Sequence, residues 1–259
     1  MERLNEQKTP LCLTAAGLHS WGAFLLLLGI LGRGVLQNGI LGVNQLSAQD
    51  LLALMDSSQS AMLLASVALV LQAAESCAIP IFAFLLVEGF LHTSSFKKYL
   101  LRLLLVALVC ELPYNYVIGG SWLVTDSRNG VFGLVLCLVM LYFYQRHTQK
   151  SLQHTMINVA VTVAALLWCG MLRIEHGVFS VILTAALWFM RNKPKFRVLA
   201  GCGAALLGCL LSPFYMAAPL GFLTIHFYNG EKDERGKAIR YLAYPVMLAL
   251  AVVAMHFIG

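Results

Sequence analysis

His19 stands in a stretch that carries no charge between Lys8 and Arg33, with Ser20 and Trp21 beside it. A neutral imidazole there has the chemistry of a general base for an amine or hydroxyl, since its unperturbed pKa lies near 6.5. The same residue also suits a hydrogen bond to a neighbouring helix. Gln72, Glu75 and Ser76 share one helical face through i,i+3 and i,i+4 spacing, and Pro80 frees the Ser76 carbonyl just beyond them. Glu88 and His92 are i,i+4 and are followed by Lys97, Lys98 and Arg102. Glu111 precedes Pro113. By helix rise Glu111 lies about 20 Å from Lys98, and Glu75 lies about 25 Å from His92 in the same direction. The two carboxylates therefore belong at comparable depth, bordered by Arg33, Arg128, Arg173, Glu175 and His176. Such a cluster serves either as an acceptor-binding site or as an ion-pair network joining helix ends. The basic residues Lys97, Lys98, Arg102 and Arg240 suit a phosphorylated donor, anionic lipid head groups or topology alone.

These groups stand out because charge is scarce. Of 259 residues, 59% are apolar and 12% charged, with a net charge of +6 and a mean hydropathy of +0.78. Soluble domains carry about 25% charged residues, so this composition cannot coat a water-facing globule. It predicts an all-α, polytopic integral membrane protein and excludes a nucleic-acid-binding module, for which no polar domain of sufficient size remains.

Nine apolar segments qualify as spans: Leu11–Gly32, Met62–Leu91, Tyr99–Ile118, Val131–Tyr144, Leu152–Met171, Val178–Met190, Val198–Leu211, Phe214–Tyr228 and Leu242–Ile258. The first is too long for a signal-peptide core and lacks a small-residue cleavage site, so it reads as a retained span. A hairpin at Ser212-Pro213 divides the seventh from the eighth. With the N-terminus cytoplasmic, every Lys and Arg except Arg33, Arg128 and Arg173 falls on the inner side, as the positive-inside rule asks. Treating Val198–Tyr228 as one span would move the last four basic residues to the other side. Between Gly34 and Ser60, Ser47 caps an amphipathic run through Leu51, Leu52, Leu54 and Met55, which predicts a short helix on the outer surface. No internal repeat is visible.

The seven cysteines lie almost entirely in apolar runs, without a CxxC pair or a nearby histidine at ligand spacing, so neither a metal site nor a disulfide framework is expected. P-loop, GxGxxG, HExxH and GxSxG patterns are absent, which argues against the usual ATPase, dinucleotide oxidoreductase, zincin and serine hydrolase.

The block Ile79-Pro-Ile-Phe-Ala-Phe-Leu-Leu-Val-Glu-Gly-Phe-Leu-His-Thr93, continuing to Lys97-Lys-Tyr-Leu-Leu-Arg102 and Glu111-Leu-Pro113, resembles the TraX family of membrane proteins. So does the ending, Phe227-Tyr-Asn-Gly-Glu231 with Gly236 and Tyr241-Leu-Ala-Tyr-Pro245. The resemblance spans roughly residues 75 to 250 and makes the chain a single TraX-like transmembrane domain with an outer insertion at about 34–60. It implies a kinship with transmembrane acyltransferases and an acetyl transfer from acetyl-CoA to an amine, the family's named acceptor being the amino terminus of conjugative pilin. His19 matches the family's first-span histidine. The family's Asp before that histidine, Arg before the Ala-x-Pro segment and His after the last Tyr-Pro are here Leu18, Ser76 and Met247.

On this reading His19 and Glu111 are the candidate catalytic residues. Glu75, Arg128, Glu175 and His176 form an acceptor-side polar cluster. Glu88, His92, Lys97, Lys98, Arg102, Tyr228, Asn229 and Arg240 are the candidate acetyl-CoA contacts. The bilayer of a bacterial inner or plasma membrane and a pilin or peptide acceptor are the expected partners. A membrane protein without enzymatic activity, either a pilus assembly factor or a small-solute permease, is the alternative.

Overall fold

The fold was analysed in a computed structural model, which describes residues 13–123, 127–149, 151–231 and 237–258, excluding the side chains of 194–195 and 237–239. Among the sequence features above, Lys8, Leu11 and Gly236 lie outside the described residues, and so, of the basic residues assigned to the inner side, do Arg3, Lys150, Lys232 and Arg235 and the side chains of Lys195 and Lys237.

The chain enters helix α1 (Ala15–Ile30) through a Thr14 cap, whose hydroxyl accepts from the Gly17 amide. The helix continues without a break as a π-helix over Leu31–Ile40. Then come a short α2 (Ala48–Ser57) capped by Ser47, α3 (Gln59–Ser76) capped by Ser58, and α4 (Ala78–Leu91). Next are α5 (Phe96–Gly119), α6 (Val131–Arg146), α7 (Leu152–Met171), α8 (Gly177–Phe189) and α9 (Pro194–Leu207). A 3₁₀ turn over Pro213–Ala217, α10 (Pro219–His226) and α11 (Lys237–Ile258) complete the described fold. Among the described residues the only β pairing is two isolated parallel bridges, Leu13 with Tyr228 and Arg128 with Ile174.

The burial pattern separates packed helices from lipid-facing ones. Helix α4 buries nine of its fourteen residues, Pro80, Ile81, Phe84 and Phe90 among them. Helix α7 instead exposes Leu152, Met156, Val159, Val163 and Leu167 along one stripe at spacings of three and four. An apolar stripe of that length is stable against hydrocarbon and costly against water, because about 25 cal/mol accrues for each Å² of apolar surface left in water. Two apolar cores result. The larger runs through α4, α6 and α8, and the smaller joins Ile30 to Cys110, Tyr114 and Val117 of α5 and Leu248, Ala251 and Met255 of α11.

Among the described residues, five helical segments are long and apolar enough to cross a membrane: Ala15–Ile40, Gln59–Leu91, Phe96–Gly119, Leu152–Met171 and Arg240–Ile258. Val131–Arg146, Gly177–Phe189 and Phe196–Leu210 are shorter apolar helices. The second span, Met62–Leu91, carries the break expected ahead of Pro80: α3 and α4 meet at Cys77, where the missing N–H and ring of the proline interrupt the ladder. The structure differs from the sequence reading in two segments. The first span runs on through Gly34 to Ile40, which the sequence reading placed in a linker. Phe214–Tyr228 contains only the eight-residue α10 beyond its 3₁₀ turn, about 12 Å of helix against a hydrocarbon core of about 30 Å.

The break at Cys77 docks that 3₁₀ turn. Ser76 donates its hydroxyl to the Phe214 carbonyl at 2.8 Å, and the Cys77 thiol to the Ala217 carbonyl at 3.1 Å. A Cβ on Gly221 would stand 2.3 Å from the Cys77 carbonyl oxygen, so only glycine lets α10 approach this closely.

Candidate functional site

A cavity of about 510 Å³ runs between the two cores, walled by α1, α4, α5 and α11. Helix α1 presents Ala15, His19, Ala23 and Leu26 to it, successive positions on one face. Helix α5 contributes Lys98, Tyr99 and Arg102, and α11 contributes Arg240, Tyr241, Tyr244 and Met247. One end, the basic mouth, is rimmed by Glu88, His92, Thr93, Ser94 and Ser95 with Lys98, Arg102, Tyr228 and Arg240. The other end holds Glu75, Glu175, His176 and Ser180.

His19 is partly buried and meets the Phe82 ring edge-on, 5.4 Å between centroids at 89°. Its depth follows from α1. Ala15 is fastened to the basic mouth by its amide bond to the Glu231 carbonyl at 3.2 Å. Gly29, at the other end of α1, packs against Glu75: a Cβ there would come 2.0 Å from the carboxylate oxygen. Ten residues separate His19 from Gly29, so the imidazole lies about 15 Å from the carboxylates and about one turn inside the basic mouth.

At the acidic end, Arg33 of the π-helix bridges two carboxylates. Its Nη2 lies 3.8 Å from Glu75, and its Nη1 pairs with Glu175. Both carboxylates line the cavity and Arg33 does not, so the guanidinium holds them from outside the cavity wall. Glu175 sits on a tight link between α7 and α8 in which Arg173 and His176 both take left-handed φ, 49° and 55°. That conformation costs a non-glycine residue roughly 1–2 kcal/mol. The link is held by the Ile174 amide bonding back to the Cys169 carbonyl at 2.9 Å and by the bridge to Arg128. His176 Nδ1 shares a hydrogen bond with the Tyr215 hydroxyl at 2.8 Å, and its Nε2 is buried with no hydrogen-bond partner among the described residues. Burial first, and the Arg33 charge second, push this imidazole down to about 3, so it is neutral.

The structure gathers most of the sequence-derived candidates around this cavity. His19, Glu75, Glu88, His92, Lys98, Arg102, Glu175, His176, Tyr228 and Arg240 line it. Glu111, Arg128, Lys97 and Asn229 do not. Glu111 accepts from Arg128 at 2.7 Å and from the Asn129 amide nitrogens at 2.7 and 3.3 Å, which ties α5 to the start of α6. Asn129 is fully buried and donates also to the Ala107 carbonyl. Asn229 accepts from the Glu231 amide with its side chain, and its own amide bonds the Leu13 carbonyl, so it shapes the bridge beside Tyr228. Tyr99, Tyr241 and Tyr244 also line the cavity; in the sequence they stand within the family-like blocks and were given no site role. Of the positions that differ from the family pattern, Leu18 is fully buried in the larger core, Ser76 fastens the 3₁₀ turn, and Met247 lines the cavity.

The TraX protein family model matches residues 50–254. The chain belongs to the TraX family. The matched residues of this TraX-family chain include the basic mouth and all of α4 to α10, and begin after the helix that carries His19 and Arg33. A probable fimbrial assembly protein FimC, serogroup H1, of Dichelobacter nodosus is 29% identical over 203 residues, covering 70% of this chain and 80% of the relative. No solved structure matches the TraX-family chain.

Proposed function

We propose that this TraX-family protein is a multi-pass acetyltransferase of a bacterial inner or plasma membrane, moving an acetyl group from acetyl-CoA to an amine, with the amino terminus of a pilin-like protein as acceptor. The observation that carries this reading is a single cavity with a basic mouth at one end, a carboxylate cluster at the other, and one histidine between them. The mouth suits the donor: Lys98, Arg102 and Arg240 offer cationic hydrogen-bond donors to phosphates. We place this end in the cytoplasm with an inner N-terminus, α9 and the short α10 entering and returning from that same side, in keeping with the positive-inside rule.

Acetyl-CoA, when bound, supplies the acetyl thioester. His19 takes the proton that the amine loses as its nitrogen bonds the acetyl carbon, and returns it to the sulfur that leaves. Edge-on packing against Phe82 orients the imidazole in place of a neighbouring carboxylate, since Leu18 stands at that position. Glu75 and Glu175 lie about 15 Å away, too far to touch the reacting atoms, and instead draw a positively charged chain end into the cavity. Four or five extended residues cover that distance at about 3.3 Å each, so a peptide end reaches His19. Glu111, bound to Arg128 and Asn129 outside the cavity lining, acts as a positioning group for the α5–α6 link.

The test is saturable binding of acetyl-CoA to the purified protein, weakened by salt. Failure to bind, together with an unaltered cellular phenotype for His19→Ala, favours the second reading, an assembly component without transfer activity. The name of the Dichelobacter nodosus relative suits that reading as well.

A further inference from the structure

Arg197 lies in the first turn of α9, where a cation works against the helix dipole. Membrane topology accounts for basic residues at this boundary and asks only for exposed charge, which Lys193 already offers. Arg197 instead turns inward. Its Nη1 lies 3.4 Å from Glu88 Oε1, and its guanidinium carbon stands 4.8 Å over the Phe84 ring. Phe84 meets the Tyr228 ring edge-on at 5.3 Å. Arg197 Nε is buried without a hydrogen-bond partner among the described residues, a cost the fold accepts to hold the group there. Glu88 and Tyr228 line the cavity; Arg197 stands behind them.

Glu88 is the carboxylate among the lining residues of the basic mouth, facing the same space as Lys98, Arg102 and Arg240. An uncompensated negative charge there repels a phosphate through a medium of reduced dielectric. We propose that Arg197 is a positioning residue of this mouth: from outside the wall it cancels the Glu88 charge and fixes Glu88 and Tyr228, leaving Lys98 and Arg102 to hold a polyanionic, phosphate-bearing ligand. The inference rests on the donor-site reading given above.

A double-mutant series on the full-length protein tests it, with free coenzyme A as one probe and inorganic pyrophosphate as a second. Arg197→Met weakens binding about tenfold, and Arg197→Lys stays within about threefold of wild type. Glu88→Gln alone, which releases the Arg197 charge, binds about threefold or more tighter than wild type, and Glu88→Gln with Arg197→Met returns to within about threefold. That rescue separates charge cancellation from a merely structural role, in which the double variant binds no better than Arg197→Met. Unchanged binding by Arg197→Met overturns the proposal, and so does a tenfold loss in Glu88→Gln alone. Should Arg197→Met fail to elute as a single species, Arg197→Lys and Glu88→Gln still decide. Wild-type protein that binds pyrophosphate but not coenzyme A counts against the donor reading while leaving the Arg197 series decisive; binding of neither overturns both.

Discussion

The two ends of the cavity are built on opposite plans. At the acidic end one cation, Arg33, bridges two carboxylates, Glu75 and Glu175, with His176 held neutral beside them. At the basic mouth Lys98, Arg102 and Arg240 outnumber Glu88, which Arg197 engages from behind the wall. The bridged carboxylates work as a structural joint, while the cation-rich mouth is a place for an anionic ligand. Each end is also closed by one stretch of β bridge, Arg128 with Ile174 and Leu13 with Tyr228, so the two plans share the same mechanical frame.

The comparison breaks first if the joint is not a joint. Arg33→Ala leaves two partly buried carboxylates unpaired and should cost about 3–5 kcal/mol, visible as a large fall in thermal unfolding temperature in detergent. An unfolding temperature near wild type would show that the acidic end carries no structural load. Gly29→Ala sets a methyl group against the Glu75 carboxylate and should destabilise by about 1–3 kcal/mol through displacement of that side chain.

Sequence alone could name the members of this joint but not its geometry. His19, Glu75, Glu88 and Glu111 were legible because a charge-poor chain leaves few places for chemistry. Arg33 was visible only as a border residue, since ordinary helical winding does not continue through Gly34, whereas the π-helix carries it to both carboxylates. Glu111 matched Glu75 in depth, yet depth along a helix fixes no direction, and its side chain turns to Arg128 and Asn129. Arg197 was hidden for another reason: any basic residue at that boundary is already explained by topology. The helical class and most segments followed from hydropathy, while the short α10 did not, because an apolar run gives no sign of where a 3₁₀ turn consumes its length.

The mouth should respond in the opposite sense to the joint. Arg102→Gln and Lys98→Gln, each at a partly or fully exposed position, should change stability by less than about 0.5 kcal/mol. Each should raise the dissociation constant for coenzyme A up to about tenfold, with a shallower salt dependence. A stability loss without a binding change would invert the comparison. The pH dependence of the joint belongs to His176. Its folded value near 3 lies below the free imidazole's, so its stabilising contribution is complete above about pH 6.5 and is lost as pH falls toward 3. Histidine NMR should accordingly show this ring neutral at pH 5; a charged ring there would mean that the joint is more open to water than its geometry implies.

The central claim is that donor and acceptor meet at His19. The most direct measurement is transfer of a labelled acetyl group from acetyl-CoA to a short peptide with a free amino terminus, using purified protein in proteoliposomes. The account predicts transfer by the wild type, and none by His19→Ala despite equal binding of coenzyme A. Transfer by His19→Ala at the wild-type rate, or coenzyme A binding without any transfer by the wild type, would contradict it.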